Sequence, residues 1–189
     1  MRRSAVTGGA WGPVGFGGPK MRRHAVALLF MVSCLLAASA QAAEFRFPKT
    51  GADAFVINLP AGWTTHEDEY NGIQLLAPGH RSVIYLSFVR DAQYTGKPLR
   101  DVALAIGAQP SMKFSSRVEA SVISGYGGQT FFAEMTNDKG TPLDVKMAII
   151  PLAQNLWATE TQLISKNLNA EQRATLAAAV RGVGLVHGN

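Results

Sequence analysis

Residues 62–72, GWTTHEDEYNG, hold the densest run of chemistry-bearing side chains in the chain: His66, Glu67, Asp68 and Glu69 follow one another. Clustered carboxylates beside an imidazole suit a hard divalent cation, and a bound cation would activate water for hydrolysis. The run opens like a zinc-protease helix motif, which needs two histidines four residues apart on one helix face. Tyr70 stands where the second histidine would be, and Gly62 and Gly72 bracket the segment, so that motif fails. Read between two strand signals, the run is expected to be a solvated loop, with a looser metal site at His66, Glu67, Asp68 and Glu69 as the alternative.

Other candidates are weaker. The glycine-rich SGYGGQ at 124–129 lacks the Lys-Ser/Thr of a phosphate loop and the spacing of a dinucleotide fingerprint, and reads as a turn between strands. No Gly-x-Ser-x-Gly elbow presents a nucleophilic serine. His80 falls in a turn and His187 in the tail, and neither has a sequence-local partner for a proton relay. Trp63, Tyr70 and Tyr126 form a candidate aromatic platform for a ligand or partner, with core packing as the alternative for Trp63 and Trp157.

Strands and helices must position these groups. AFVINLP, GIQLLAP and SVIYLSFVR (54–60, 72–78 and 82–90) carry strand patterns, the last apolar on both faces as in a covered central strand. The APGH turn joins the second and third as a hairpin. A helix starts near Pro98, with Leu99, Val102 and Ile106 on one stripe and Gly107 as its stop. Four more strand patterns follow, at 117–123, 130–136, 143–150 and 156–164. In the first, Val118, Ala120 and Val122 are expected to face inward, and NDKGTP turns the chain between the second and third. A second helix opens at Asn169, capped reciprocally by Gln172, with a stripe of Leu176, Val180 and Val183. Short connections and period-two alternation predict an α+β fold, an antiparallel β-sheet meander flanked by helices. Its buried set includes Phe55, Ile57, Leu59, Val83, Tyr85, Phe131, Val145, Met147, Leu176 and Val180.

Residues 21–42, MRRHAVALLFMVSCLLAASAQA, have the basic start, short apolar run and small residues of a cleavable export signal. Cleavage after Ala42 fits best, and after Ala40 nearly as well. Residues 1–20 hold six glycines and no apolar periodicity, which identifies Met21 as the translation start; an unfolded arm is the alternative. The chain's 18 Lys and Arg outnumber its 13 Asp and Glu, but five of the basic residues lie in 1–42 and none of the acids does. The mature domain, 43–189, is therefore neutral and has no global electrostatic pull toward nucleic acid or anionic lipid. The one cysteine, Cys34, also precedes the cut, which excludes disulfides and thiolate chemistry from the mature part. MVSC loosely resembles a lipoprotein box, but the apolar run continues past it to an ordinary cleavage site. A periplasmic, monomeric domain without a transmembrane span is expected.

The order of these signals resembles the PsbP-like superfamily, whose bacterial branch includes DcrB-like exported proteins. The resemblance covers most of 45–185 and rests on FVINLPAGW, GIQLLAP, PLRDVALAIGA and GYGGQTFFAE. It implies an α/β/α sandwich, an antiparallel sheet with helices on both faces. It also implies an accessory or partner-binding role in the cell envelope, with no cofactor and no catalytic set to carry over. The expected partner is a protein or an apolar ligand. The alternative function is a metal-assisted hydrolase or metal-binding protein using 66–69.

Overall fold

The structure is a computed structural model that describes residues 44–68, 72–107 and 109–188. Its strands are β1 (Glu44–Phe47), β2 (Ala54–Asn58), β3 (Thr64–Glu67), β4 (Gly72–Leu76), β5 (Ser82–Arg90), β6 (Lys113–Ile123), β7 (Tyr126–Thr136), β8 (Pro142–Ala153), β9 (Leu156–Ser165) and β10 (Val183–Val186). Two α-helices interrupt them, α1 (Leu99–Ile106) and α2 (Ala170–Arg181). The class is α+β, as the patterning predicts.

The expected antiparallel sheet flanked by helices is present, and a second, smaller antiparallel sheet accompanies it. Seven strands run in the order β3-β4-β5-β9-β8-β7-β6, and a separate three-stranded sheet runs β1-β2-β10. The small sheet and α2 cover one face of the large sheet, its inner face. Phe55, Ile57 and Leu185 pack there with Leu75, Ile84, Leu86, Ile150 and Leu176. The outer face carries α1, whose Val102 and Ala103 pack on Phe131, Met147, Ile149 and Trp157. Side chains alternate between these faces along every strand, so β5 sends Ile84 and Leu86 inward and Val83 and Tyr85 outward.

Three strands escaped the sequence reading, each for a local reason. β1 and β10 are four residues each and are held by β2, which pairs with both at once. β3 is wholly exposed, so it has no apolar alternation to betray it. Val183, read as the last helical stripe residue, is the first residue of β10, because Gly182 caps α2. Asn58 N–H donates to Gly182 O at 2.8 Å, and a Cβ on Gly182 would collide with the Asn58 carbonyl. Only glycine lets helix and strand approach this closely.

The inward placement of Val118, Ala120 and Val122 is also overturned. β6 is the sheet edge and its outer face lies bare, leaving Val122 69% exposed. Val83, Tyr85 and Val180 are half-buried, whereas the other seven expected core residues are buried. Several local expectations hold. Asn169 Oδ1 accepts from Gln172 N–H at 2.8 Å while Gln172 Oε1 accepts from Asn169 N–H at 3.0 Å, a complete capping box. Ser124 and Gly125, both at positive φ, form the two-residue turn between β6 and β7. Among the described residues no helix is long and apolar enough to cross a membrane.

Candidate ligand-binding site

His66 and Glu67 of the acidic run lie in a strand rather than a loop, and Asp68 follows it. His66 and Glu67 are successive residues of edge strand β3, paired with Gln74 and Ile73, so their side chains leave opposite faces of the sheet. Both are exposed, and Glu67 meets Lys49 at 3.6 Å. Asp68 follows β3 and holds the first residue of β4. Its Oδ1 accepts from Gly72 N–H at 2.8 Å and its Oδ2 accepts from the Tyr85 hydroxyl at 2.6 Å. Glu69 and Tyr70 lie outside the described residues. Among the described residues no three His, Cys, Asp or Glu side chains gather as metal ligands.

The aromatic candidates are likewise separated in role. Trp63 is buried in the inner core, its Nε1 without a hydrogen-bond partner. Tyr126, at the start of β7, stands edge-on to His187 with ring centroids 6.2 Å apart. His187 does have a partner, 134 residues away: its Nδ1 lies 2.5 Å from Asp53 Oδ1. Sequence spacing could not reveal it, because β2 and β10 become neighbours only in the small sheet.

Two concave sites emerge from the tertiary structure instead. The first is a groove of about 420 Å³ on the outer face beside α1. Val83, Ile106, Met112, Met147 and Leu163 give it apolar walls. Ser87 and Thr159 at its base share a hydrogen bond of 2.7 Å and are buried. Tyr85 and Asp68 stand at one end, already bound to each other. Burial, and then the Asp68 carboxylate, push the Tyr85 phenol well above the ordinary tyrosine range. The groove exists because α1 has only eight residues, too few to cover a seven-stranded sheet.

The second site is a cavity of about 550 Å³ on the inner face, where α2 runs into β10. Its floor is polar. Glu160 on β9 is 5% exposed, beside Gln162 on the same strand and Lys146 on β8. The register sets Lys146 opposite Gln162 and Ala148 opposite Glu160, so the three polar groups share one patch. Gln162 Nε2 donates to Glu160 Oε1 at 2.7 Å. Burial raises the Glu160 carboxyl above the usual carboxylate range, while the Gln162 hydrogen bond and the Lys146 charge oppose that rise. Arg181, at the end of α2, lines the same cavity. Lys146 and Arg181 are exposed, and among the described residues no salt bridge joins either of them to an acid. The signal was present in the sequence: Glu160 and Gln162 interrupt the face that Ala158 and Ile164 otherwise make apolar.

No family model matches the chain, and no curated protein matches it. Solved structures do. A protein of Bacteroides thetaiotaomicron VPI-5482 is 14% identical, with a TM-score of 0.44, over 68% of this chain and 44% of that one. The chain thus spans less than half the length of the Bacteroides protein. LpqN of Mycobacterium tuberculosis, described as involved in cell envelope biogenesis, is 12% identical over 82% of this chain and 96% of its own, with a TM-score of 0.48. Cyanobacterial PsbP (CyanoP) from Synechocystis sp. PCC 6803 is 11% identical over 78% and 95%, with a TM-score of 0.48.

Proposed function

We propose that this chain is an exported, PsbP-like accessory protein of the bacterial cell envelope that binds an apolar ligand or partner segment in the groove beside α1. The observation that carries the reading is the groove itself: apolar walls, a few fixed polar groups, and a volume in the range of small-ligand pockets. Its polar groups favour binding over catalysis. The Ser87 and Thr159 hydroxyls satisfy each other, and the carboxylate among the lining residues, Asp68, is engaged by Tyr85 and Gly72. A nucleophile would need an adjacent base, and neither hydroxyl is hydrogen-bonded to one.

Site-specific photo-crosslinking in intact cells tests this reading. A photoreactive side chain at Gln109 or Gln74, both in the groove lining, is expected to capture one recurrent ligand or protein. The same group at Lys139, in the hairpin between β7 and β8, is expected to capture none. Equal labelling at all three positions, or none at any, overturns the proposal. Export is part of the same reading and is tested by intact mass. A mature chain beginning at Ala43 supports it, whereas a mass that includes residues 1–20, or a diacylated Cys34, overturns it.

A further inference from the structure

We infer that the inner-face cavity binds a small zwitterion, holding its ammonium on Glu160 and its carboxylate or phosphate between Lys146 and Arg181. The site is separate from the α1 groove and stands on its own observations.

The first is the placement of Glu160. A carboxyl group taken this far out of water is costly unless it is paired and hydrogen-bonded. A purely structural glutamate would close an ion pair with the nearest cation. Here the hydrogen bond it makes is with Gln162, while Lys146 sits diagonally across the β8–β9 ladder and no salt bridge joins the two. A carboxylate has acceptor sites for about four hydrogen bonds, and Glu160, which accepts from Gln162, is one of the residues that line the cavity.

The second is the separation of sign. The acid lies deep and the two cations lie at the exposed rim. Lys146 and Arg181 line both this cavity and the neighbouring depression that Arg173 and Leu176 share. An anion alone would meet Glu160 as a like charge, and a cation alone would have to pass Lys146 and Arg181. A molecule with both charges meets opposite charge at each end. The side chains of Ser121 and Thr130, both among the lining residues, add uncharged hydrogen-bonding groups. A cavity of about 550 Å³ has room for an amino acid, a dipeptide or phosphoethanolamine.

Isothermal titration of the mature protein with single L-amino acids, dipeptides and phosphoethanolamine tests the inference. Acetate, inorganic phosphate and ethylamine serve as single-charge controls. At least one zwitterion is expected to bind more tightly than any control, and the amino-acid and phosphoethanolamine arms decide whether the anionic end is carboxylate or phosphate. Glu160→Gln, which keeps shape and loses charge, is expected to weaken that zwitterion by about tenfold or more, as is Arg181→Ala. Lys139→Ala, remote from the cavity, is expected to leave it unchanged. Circular dichroism confirms that each variant is folded. Absence of binding by every zwitterion, equal binding by a single-charge control, or unaltered affinity in Glu160→Gln overturns the inference.

Discussion

The Tyr85 hydroxyl donates to Asp68 Oδ2 at 2.6 Å, a bond that ties the middle of β5 to the residue that follows β3. The same carboxylate accepts the Gly72 N–H, and a Cβ on Gly72 would strike the Tyr85 ring. Ring, carboxylate and glycine thus form one closure at the end of the α1 groove. Tyr85→Phe removes this part-buried hydrogen bond to a charged group and is expected to cost about 1–2 kcal/mol in urea unfolding. Because the Tyr85 phenol titrates above its unfolded value, the native state keeps its proton after the unfolded chain has lost it. This contribution to stability is present below about pH 10 and is lost as pH rises through the folded value. The urea midpoint of the wild type is therefore expected to fall between about pH 9 and about pH 11 more than that of Tyr85→Phe.

Glu160 gives a second pH signature, in the ordinary range. Its carboxyl is held above the usual value chiefly by burial, so the native state binds its proton more tightly than the unfolded chain does. Stability from this group is greatest at low pH and declines as pH rises from the unfolded glutamate value, about 4.3, through the folded one. The charged groups sharing its cavity are Lys146 and Arg181. In Glu160→Gln the decline is expected to disappear, so its melting temperature relative to wild type rises from about pH 4 to about pH 8. Parallel profiles for the two proteins would show that Glu160 has no part in it.

Gly182 separates α2 from β10 and tolerates no side chain against the Asn58 carbonyl. Gly182→Ala is expected to destabilise the protein by about 1–3 kcal/mol through overpacking. Urea unfolding measures this directly, and a neutral result would mean that the helix and β2 are not in contact there.

His66 and Glu67 are exposed on opposite faces of β3. Replacing both by alanine is expected to change stability by less than about 1 kcal/mol, the most that an exposed ion pair such as Lys49–Glu67 contributes. Calcium, magnesium, manganese and zinc are expected to leave the wild-type melting temperature unchanged. A metal-dependent rise that the double variant loses would restore the hydrolase reading, since a bound ion stabilises by about 2.7 kcal/mol at a hundredfold excess over its dissociation constant.

What the sequence by itself determined is local. Strand patterns in β2, β4, β5, β8 and β9, the Asn169–Gln172 capping box and the turn at Ser124–Gly125 depend on neighbours within a few residues, and their patterns are legible in order. The tertiary structure decided everything that joins distant segments. Pairing of β2 with both β1 and β10 made a second sheet, because four-residue strands have no stability apart from a partner. The β8–β9 register gathered Lys146, Glu160 and Gln162 into one patch, and His187 met Asp53 across 134 residues. The acidic run drew attention first because its charges are adjacent in sequence, yet adjacent residues of a strand diverge to opposite faces. Residues that converge on a site come from positions two apart on one strand, or from neighbouring strands, and only the register reveals which.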